Sequence, residues 1–156
     1  MNKVILLVQP AEVVGKLFEK AEAWVFTDNP PTSGRGKKVL VYAGPPVNGV
    51  VGEAVLEGVV TSSVDSLIPA TSAQSQAHQI RELFAGKTTG SAIRLKSLRK
   101  YMEPIPLQRI REAAPNFTPP KSFIYIWDND ERYAALLELA SKLSAQVDRH
   151  LESRRS

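Results

Sequence analysis

No cysteine occurs in the 156 residues, which removes disulfides, thiolate nucleophiles, Cys-ligated zinc and iron–sulfur clusters from consideration. Histidine is nearly as scarce. His78 and His150 stand far apart, without a second ligand at helical or hairpin spacing, so neither a His-based metal site nor a Ser–His–Asp triad can be assembled. No apolar run approaches the roughly 18 residues of a membrane helix. The opening MNKVILLVQP is cut short by Pro10 and has no small-residue cleavage site, unlike a secretory signal. The expectation is a soluble cytoplasmic protein with no membrane association, no metal and no cofactor. Disorder does not fit either, because the chain is 43% hydrophobic and carries a net charge of only +4. A chain of this length buries roughly 68–70% of its unfolded surface and needs no covalent staple.

What charge there is lies in one place. Residues 86–121 hold eight bases, Lys87, Arg94, Lys96, Arg99, Lys100, Arg109, Arg111 and Lys121, against Glu103 and Glu112. The flanking stretches are neutral or slightly acidic. A patch of this kind can neutralise phosphates and release their counterions, the term that dominates non-specific nucleic-acid affinity. The plainer alternative is a solvated basic face.

Residues 3–8 form a short apolar run that suits a buried strand, and Pro10 opens a helix at Ala11 with Val13, Val14, Leu17, Phe18 and Ala21 in one stripe. Strands are predicted at 23–27 and 38–42, separated by the breaker-rich loop NPPTSGRG at 29–36. Residues 50–61 form a long strand whose even positions, Val50, Gly52, Ala54, Leu56, Gly58 and Val60, are all apolar or Gly. That pattern suits a strand bending around a small barrel. A polar loop runs from residue 62 into a helix over about 76–85, stopped by Gly86. A strand at 90–95, an extended proline-containing segment at 101–107, a helical turn over 107–113 and a last strand at 122–127 follow. Asp128 and Glu131 have the spacing of a capping box for a final helix, with Tyr133, Leu136, Leu137, Ala140, Leu143, Val147 and Leu151 as its apolar stripe. The fold class is therefore α+β, a small mixed β-barrel with flanking helices. Residues 1–127 make the barrel domain, and 128–156 make a helix packed on it or on a partner.

Two motifs resolve into structure. GKTTG at 86–90 lacks the glycine that a phosphate loop needs five residues earlier, where Arg81 stands, and it follows a predicted helix instead of a strand. Asp128, Asp130 and Glu131 lack the rest of a calcium loop and are accounted for by helix capping.

Three stretches together carry a family likeness: VLVYAGPPVNGVVGEAVLEGVV at 39–60, SAIRLKSLRKYMEPIPL at 91–107 and PPKSFIYI at 119–126. In this order they resemble the strands of PUA-like barrels of the ASCH type, and the likeness covers about residues 3–126. The resemblance implies a cleft that binds nucleic acid and, in some members, hydrolyses it. The charged Glu and Arg positions of the pattern are occupied here by Val25 and Thr27, with Lys20 and Glu22 out of register. It therefore brings no matched acid–base pair with it.

The leading expectation is a domain that binds RNA or another nucleic acid in a basic cleft. Lys87, Arg94, Lys96, Arg99 and Lys100 would contact phosphates, and Trp24 or Tyr42 would stack or line the pocket. Lys121 and Ser122 would offer polar contacts, and Lys20 completes the set. An alternative is a hydrolase of a modified nucleoside or RNA in the same cleft, with Lys20 or Lys87 as the working lysine. A third is a protein-interaction module using the last helix. A monomer or weak homodimer is expected.

Overall fold

The computed structural model describes residues 3–155. Six strands, β1 (Lys3–Gln9), β2 (Glu22–Thr27), β3 (Lys38–Ala43), β4 (Gly49–Ser63), β5 (Thr89–Pro106) and β6 (Phe123–Trp127), form one sheet in the order β2-β5-β4-β3-β1-β6. β1 and β3 are parallel, with α1 (Ala11–Leu17) and β2 lying between them in the chain; every other pairing is antiparallel. The mixed α+β class is the one the sequence predicts.

Alternation along the strands divides the apolar residues between faces. One face gathers Ile5, Leu7, Val25, Val39, Val41, Leu56, Ile93 and Leu95 with Val14 and Leu17 of α1. The opposite side is covered in two places. Over Leu6, Leu40 and Ile105 lie α4 (Leu107–Ala113) and the long α5 (Ala134–Arg155), which contributes Leu136, Ala140 and Leu143. Over Ala92 lie α2 (Val64–Ala70) and α3 (Ala77–Leu83), with Phe84 wholly enclosed. Each such aliphatic or aromatic side chain contributes about 1.5–3 kcal/mol when withdrawn from water.

The sheet is not closed into a full barrel, and this departs from the expectation. β2 and β6 are its two edges, and no ladder joins them. Were the sheet flat, five interstrand gaps would hold these edges roughly 24 Å apart. Instead Thr27 Oγ1 at the end of β2 lies 3.0 Å from Ser122 Oγ, one residue before β6. The sheet therefore curls until its edges meet, but side chains bridge the seam where a closed barrel would have backbone hydrogen bonds.

Other predicted details shift for identifiable reasons. β4 does not keep its even positions on one face: Val50 packs under α4 and α5, Leu56 on the opposite side, and Val60 beside α2 and α3. Register shifts between Val50 and Gly52, Glu53 and Val55, and Leu56 and Gly58 rotate the strand as it goes. Gly52 is required there, since a Cβ would sit 2.4 Å from the Arg99 carbonyl oxygen and 2.5 Å from Phe18. The segments predicted at 90–95 and 101–107 are one strand, because β4 pairs with β5 from Ser63↔Thr89 to Gly49↔Pro106. β2 stops pairing at Lys96, so Pro104 and Pro106 lie on an open edge that needs no N–H. The helix α2 within the polar loop is capped by Ser63, whose Oγ accepts from Ser66 N–H at 3.2 Å. The last helix starts later than predicted. Asp128 lies in a turn closed by Asp130 N–H on the Trp127 carbonyl (3.0 Å), and Asp130 caps the 3₁₀ turn Glu131–Tyr133 that precedes α5.

Candidate functional site

The seam is where chemistry-bearing side chains converge. In β2, residues 23, 25 and 27 point to one side, so the alternation that buries Ala23 and Val25 delivers the Thr27 hydroxyl to the end of the same core. Its register partner Ser91 faces the same way, and Ser91 Oγ lies 2.7 Å from Thr61 Oγ1 on β4. Thr27, Ser91 and Ser122 are all buried.

Proton counting fixes the direction of the hydrogen bonds. Ser122 Oγ donates its only proton to the Asn29 carbonyl (2.8 Å), so Thr27 Oγ1 is the donor in the 3.0 Å contact and also accepts Asn29 N–H at 3.1 Å. Ser122 keeps a lone pair and has no base against it, so it is arranged as an acceptor and not as an activated nucleophile.

Charge rims this hydroxyl floor. Lys87, in the turn before β5, pairs with Asp28. That hydrogen bond, reinforced by the lysine's charge and by Lys121, holds the Asp28 carboxyl below its ordinary value. Asp28 is thus ionised, occupied and a weak base, flanked by two lysines. Among the described residues no group of three or more His, Asp or Glu side chains is placed to hold a metal ion.

Of the expected site residues, the fold brings Lys87, Lys121 and Ser122 together here. Arg94 and Lys96 point to the other side of β5, where Arg94 pairs with Glu22, lies 5.8 Å from the Trp24 ring, and Lys96 is 3.7 Å from Glu57. Arg99 is tied to α5 through Asp148 and through Ser144 Oγ at 3.2 Å. Lys100 is exposed opposite Gly52, and Lys20 is exposed in the turn after α1. Tyr42 is two strands from Ser122, since Val8 is its cross-strand neighbour and Val8 N–H bonds the Ser122 carbonyl (2.8 Å). Its side chain is 1% exposed on the face under α4 and α5, and its hydroxyl has no hydrogen-bond partner among the described residues. Burial pushes its pKa up, partly offset by Arg111. Asp28, Asn29 and Ser91 escaped the sequence reading, and Thr27 entered it only as the residue standing at a charged position of the family pattern. The one signal for Thr27 was its place two residues beyond Val25, on the buried side of the strand.

No family model matches the chain. A curated protein of Zymomonas mobilis named ASCH domain-containing ribonuclease is 29% identical over 115 residues, spanning 72% of this chain and 76% of that one. The crystal structure of ASCH from the same organism superposes with a TM-score of 0.76 at 25% identity, covering 87% of this chain and 94% of that one. The chain carries an ASCH-type domain. A hypothetical protein from Leishmania major, at 13% identity, shares the fold alone, with a TM-score of 0.62 over 91% of this chain and 96% of that one.

Proposed function

We propose that this ASCH-type domain binds RNA at the seam between β2 and β6. Lys87 and Lys121 meet the phosphates, and the Thr27–Ser122 hydroxyl pair accepts a hydrogen bond from a ribose 2′-hydroxyl or a base edge. The observation that carries the reading is the convergence of Lys87 and Lys121 on the buried Thr27 and Ser122 hydroxyls and the exposed Asn29 backbone they bond. Hydroxyls that read a sugar beside cations that meet its phosphates are a combination suited to RNA. The similarity to a protein named as a ribonuclease supports RNA as the polymer. The test is binding of labelled RNA and DNA of equal length across a salt series. RNA-preferring, salt-dependent binding that weakens in Lys87→Ala and Lys121→Ala supports the reading; equal binding by those variants removes the seam from the interface.

The name of the relative favours a second reading, RNA cleavage. Attack on a phosphodiester by the adjacent 2′-hydroxyl needs a base, and the seam's carboxylate is occupied by Lys87, which lowers its pKa and makes it a weak proton acceptor. Binding is therefore the reading the geometry supports better. Shortened RNA products that appear with the wild type and not with Ser122→Ala would establish cleavage in its place.

A further inference from the structure

Beyond the seam, on the far side of Lys87, lies a second polar hollow. A pocket of about 390 Å³ opens between the start of α2 and the end of α3, within the roughly 300–1,000 Å³ typical of ligand sites. Ser63, Asp65, Arg81, Gly86, Lys87 and Thr88 line it. The β4–β5 ladder connects it to the seam. Thr61 and Ser91 pair at the seam, and two residues further along Ser63 pairs with Thr89 at the pocket. At about 3.3 Å per residue that step is roughly 7 Å. The pocket therefore lies one short step along the ladder from the seam, within reach of the same nucleic-acid strand.

The chemistry of the lining suits a sugar–phosphate backbone. Phe84 forms part of the wall but is only 1% exposed, so no ring face is offered to a base. What is offered is hydroxyl, backbone and cation. Gly86 at φ +81 leaves open space where a side chain would stand. Arg81 is 59% exposed, and its contacts with Asp65 are long, 3.4 Å from both Nε and Nη2. An exposed, poorly held guanidinium is available to a phosphate, which it can grip bidentately.

We infer that the α2–α3 pocket is a second subsite for the same RNA strand, in which Arg81 grips a phosphate further along the strand than the one met by Lys87. This rests on the proposed function and extends it from a point contact to a track. Lys87 is the shared post, since it lines the pocket while pairing with Asp28 at the seam.

The experiment measures affinity against RNA length, from three to ten nucleotides, for the wild type, Arg81→Ala and Asp65→Asn, with melting curves to check folding. Arg81→Ala is expected to weaken binding of the longer oligonucleotides about three- to tenfold, to lower their salt slope by about 0.7, and to change trinucleotide binding less than twofold. Asp65→Asn is expected to tighten only the longer ones. A wild type that binds no RNA of any length overturns the seam reading itself. A wild type that binds, with Arg81→Ala neutral or equally weakened at every length, overturns the second subsite and leaves the seam standing.

Discussion

The β4–β5 ladder carries a polar cluster towards each end, and the two are built in opposite ways. In one, Glu53 is 5% exposed, accepts from Tyr101 Oη–H at 2.8 Å and lies 3.6 Å from Lys38, while the neighbouring Arg99 is bound to α5. Burial, reinforced by the Glu53 charge, pushes the Tyr101 phenol far up, so the pair stays a neutral donor on a carboxylate. Every one of these groups is held by another part of the same chain. Towards the other end, the Thr27–Ser122 hydroxyls are buried, but their rim of Lys87, Asp28 and Lys121 faces solvent. Positive charge in this chain divides by partner. Arg99, expected to meet phosphates, is tied to α5 by Asp148 and Ser144, whereas Lys87 pairs with an exposed carboxylate, which under the proposed function an incoming phosphate displaces.

The two clusters are expected to respond differently to mutation. The largest effect is expected from Glu53→Ala, which orphans the buried Tyr101 hydroxyl and costs about 1–3 kcal/mol in a denaturant melt. RNA affinity of the folded fraction should not change, and a loss of affinity with stability intact would place the interface at the wrong end. Next, the double variant Lys87→Ala, Lys121→Ala should flatten the salt slope for RNA by about 1.4, two phosphate contacts, while its melting curve loses only the small contribution of the exposed Lys87–Asp28 pair. An unchanged slope would reduce both lysines to surface charge.

Ser122→Ala sharpens the contrast because it touches both properties. It removes the donor to Asn29 and the acceptor for Thr27, so a loss of about 1 kcal/mol in stability is expected together with weaker RNA binding. Stability lost without any change in binding would make the serine a pin between sheet edges and nothing more. Asp28→Asn acts in the opposite direction to the lysine variants: it frees Lys87, so RNA should bind about two- to threefold tighter at low salt. Weaker binding would mean that the aspartate positions Lys87 instead of competing for it.

The smallest effect is a titration. The Asp28 carboxyl, followed by carbon NMR, should titrate below 3.8 in the wild type and move back towards it in Lys87→Ala. Because pairing lowers the folded-state value beneath the unfolded one, the pair's contribution is present above the ordinary carboxylate value. It is lost as the pH falls through the lowered one. An identical midpoint in the two proteins would show that the pair does not persist in solution.

Much of the strand framework was legible in the sequence because alternation and breakers are local signals. The runs at 3–8, 23–27, 38–42 and 122–127 lie within a residue or two of β1, β2, β3 and β6. The stripe of α5 was legible for the same reason, and Tyr133, Leu136, Ala140 and Leu143 of that stripe are buried on the sheet. The break between 95 and 101 was not, because only pairing with β4 makes β5 continuous.

For the site, the sequence by itself determined the supply: a surplus of lysine and arginine in residues 86–121, no cysteine, two histidines, and hydroxyls at strand ends. Which acid each of those bases meets follows only from the tertiary structure. Net charge along a chain records neither the side of a strand from which a residue projects nor the acid that meets it. Arg94 meets Glu22, Arg99 meets Asp148, and Lys96 lies against Glu57, each from a distant part of the chain. The seam depends on the curl of the whole sheet, which brings Thr27 and Ser122 together across 95 residues of sequence. Local patterning cannot encode that contact, because it exists only once five interstrand pairings have accumulated their twist.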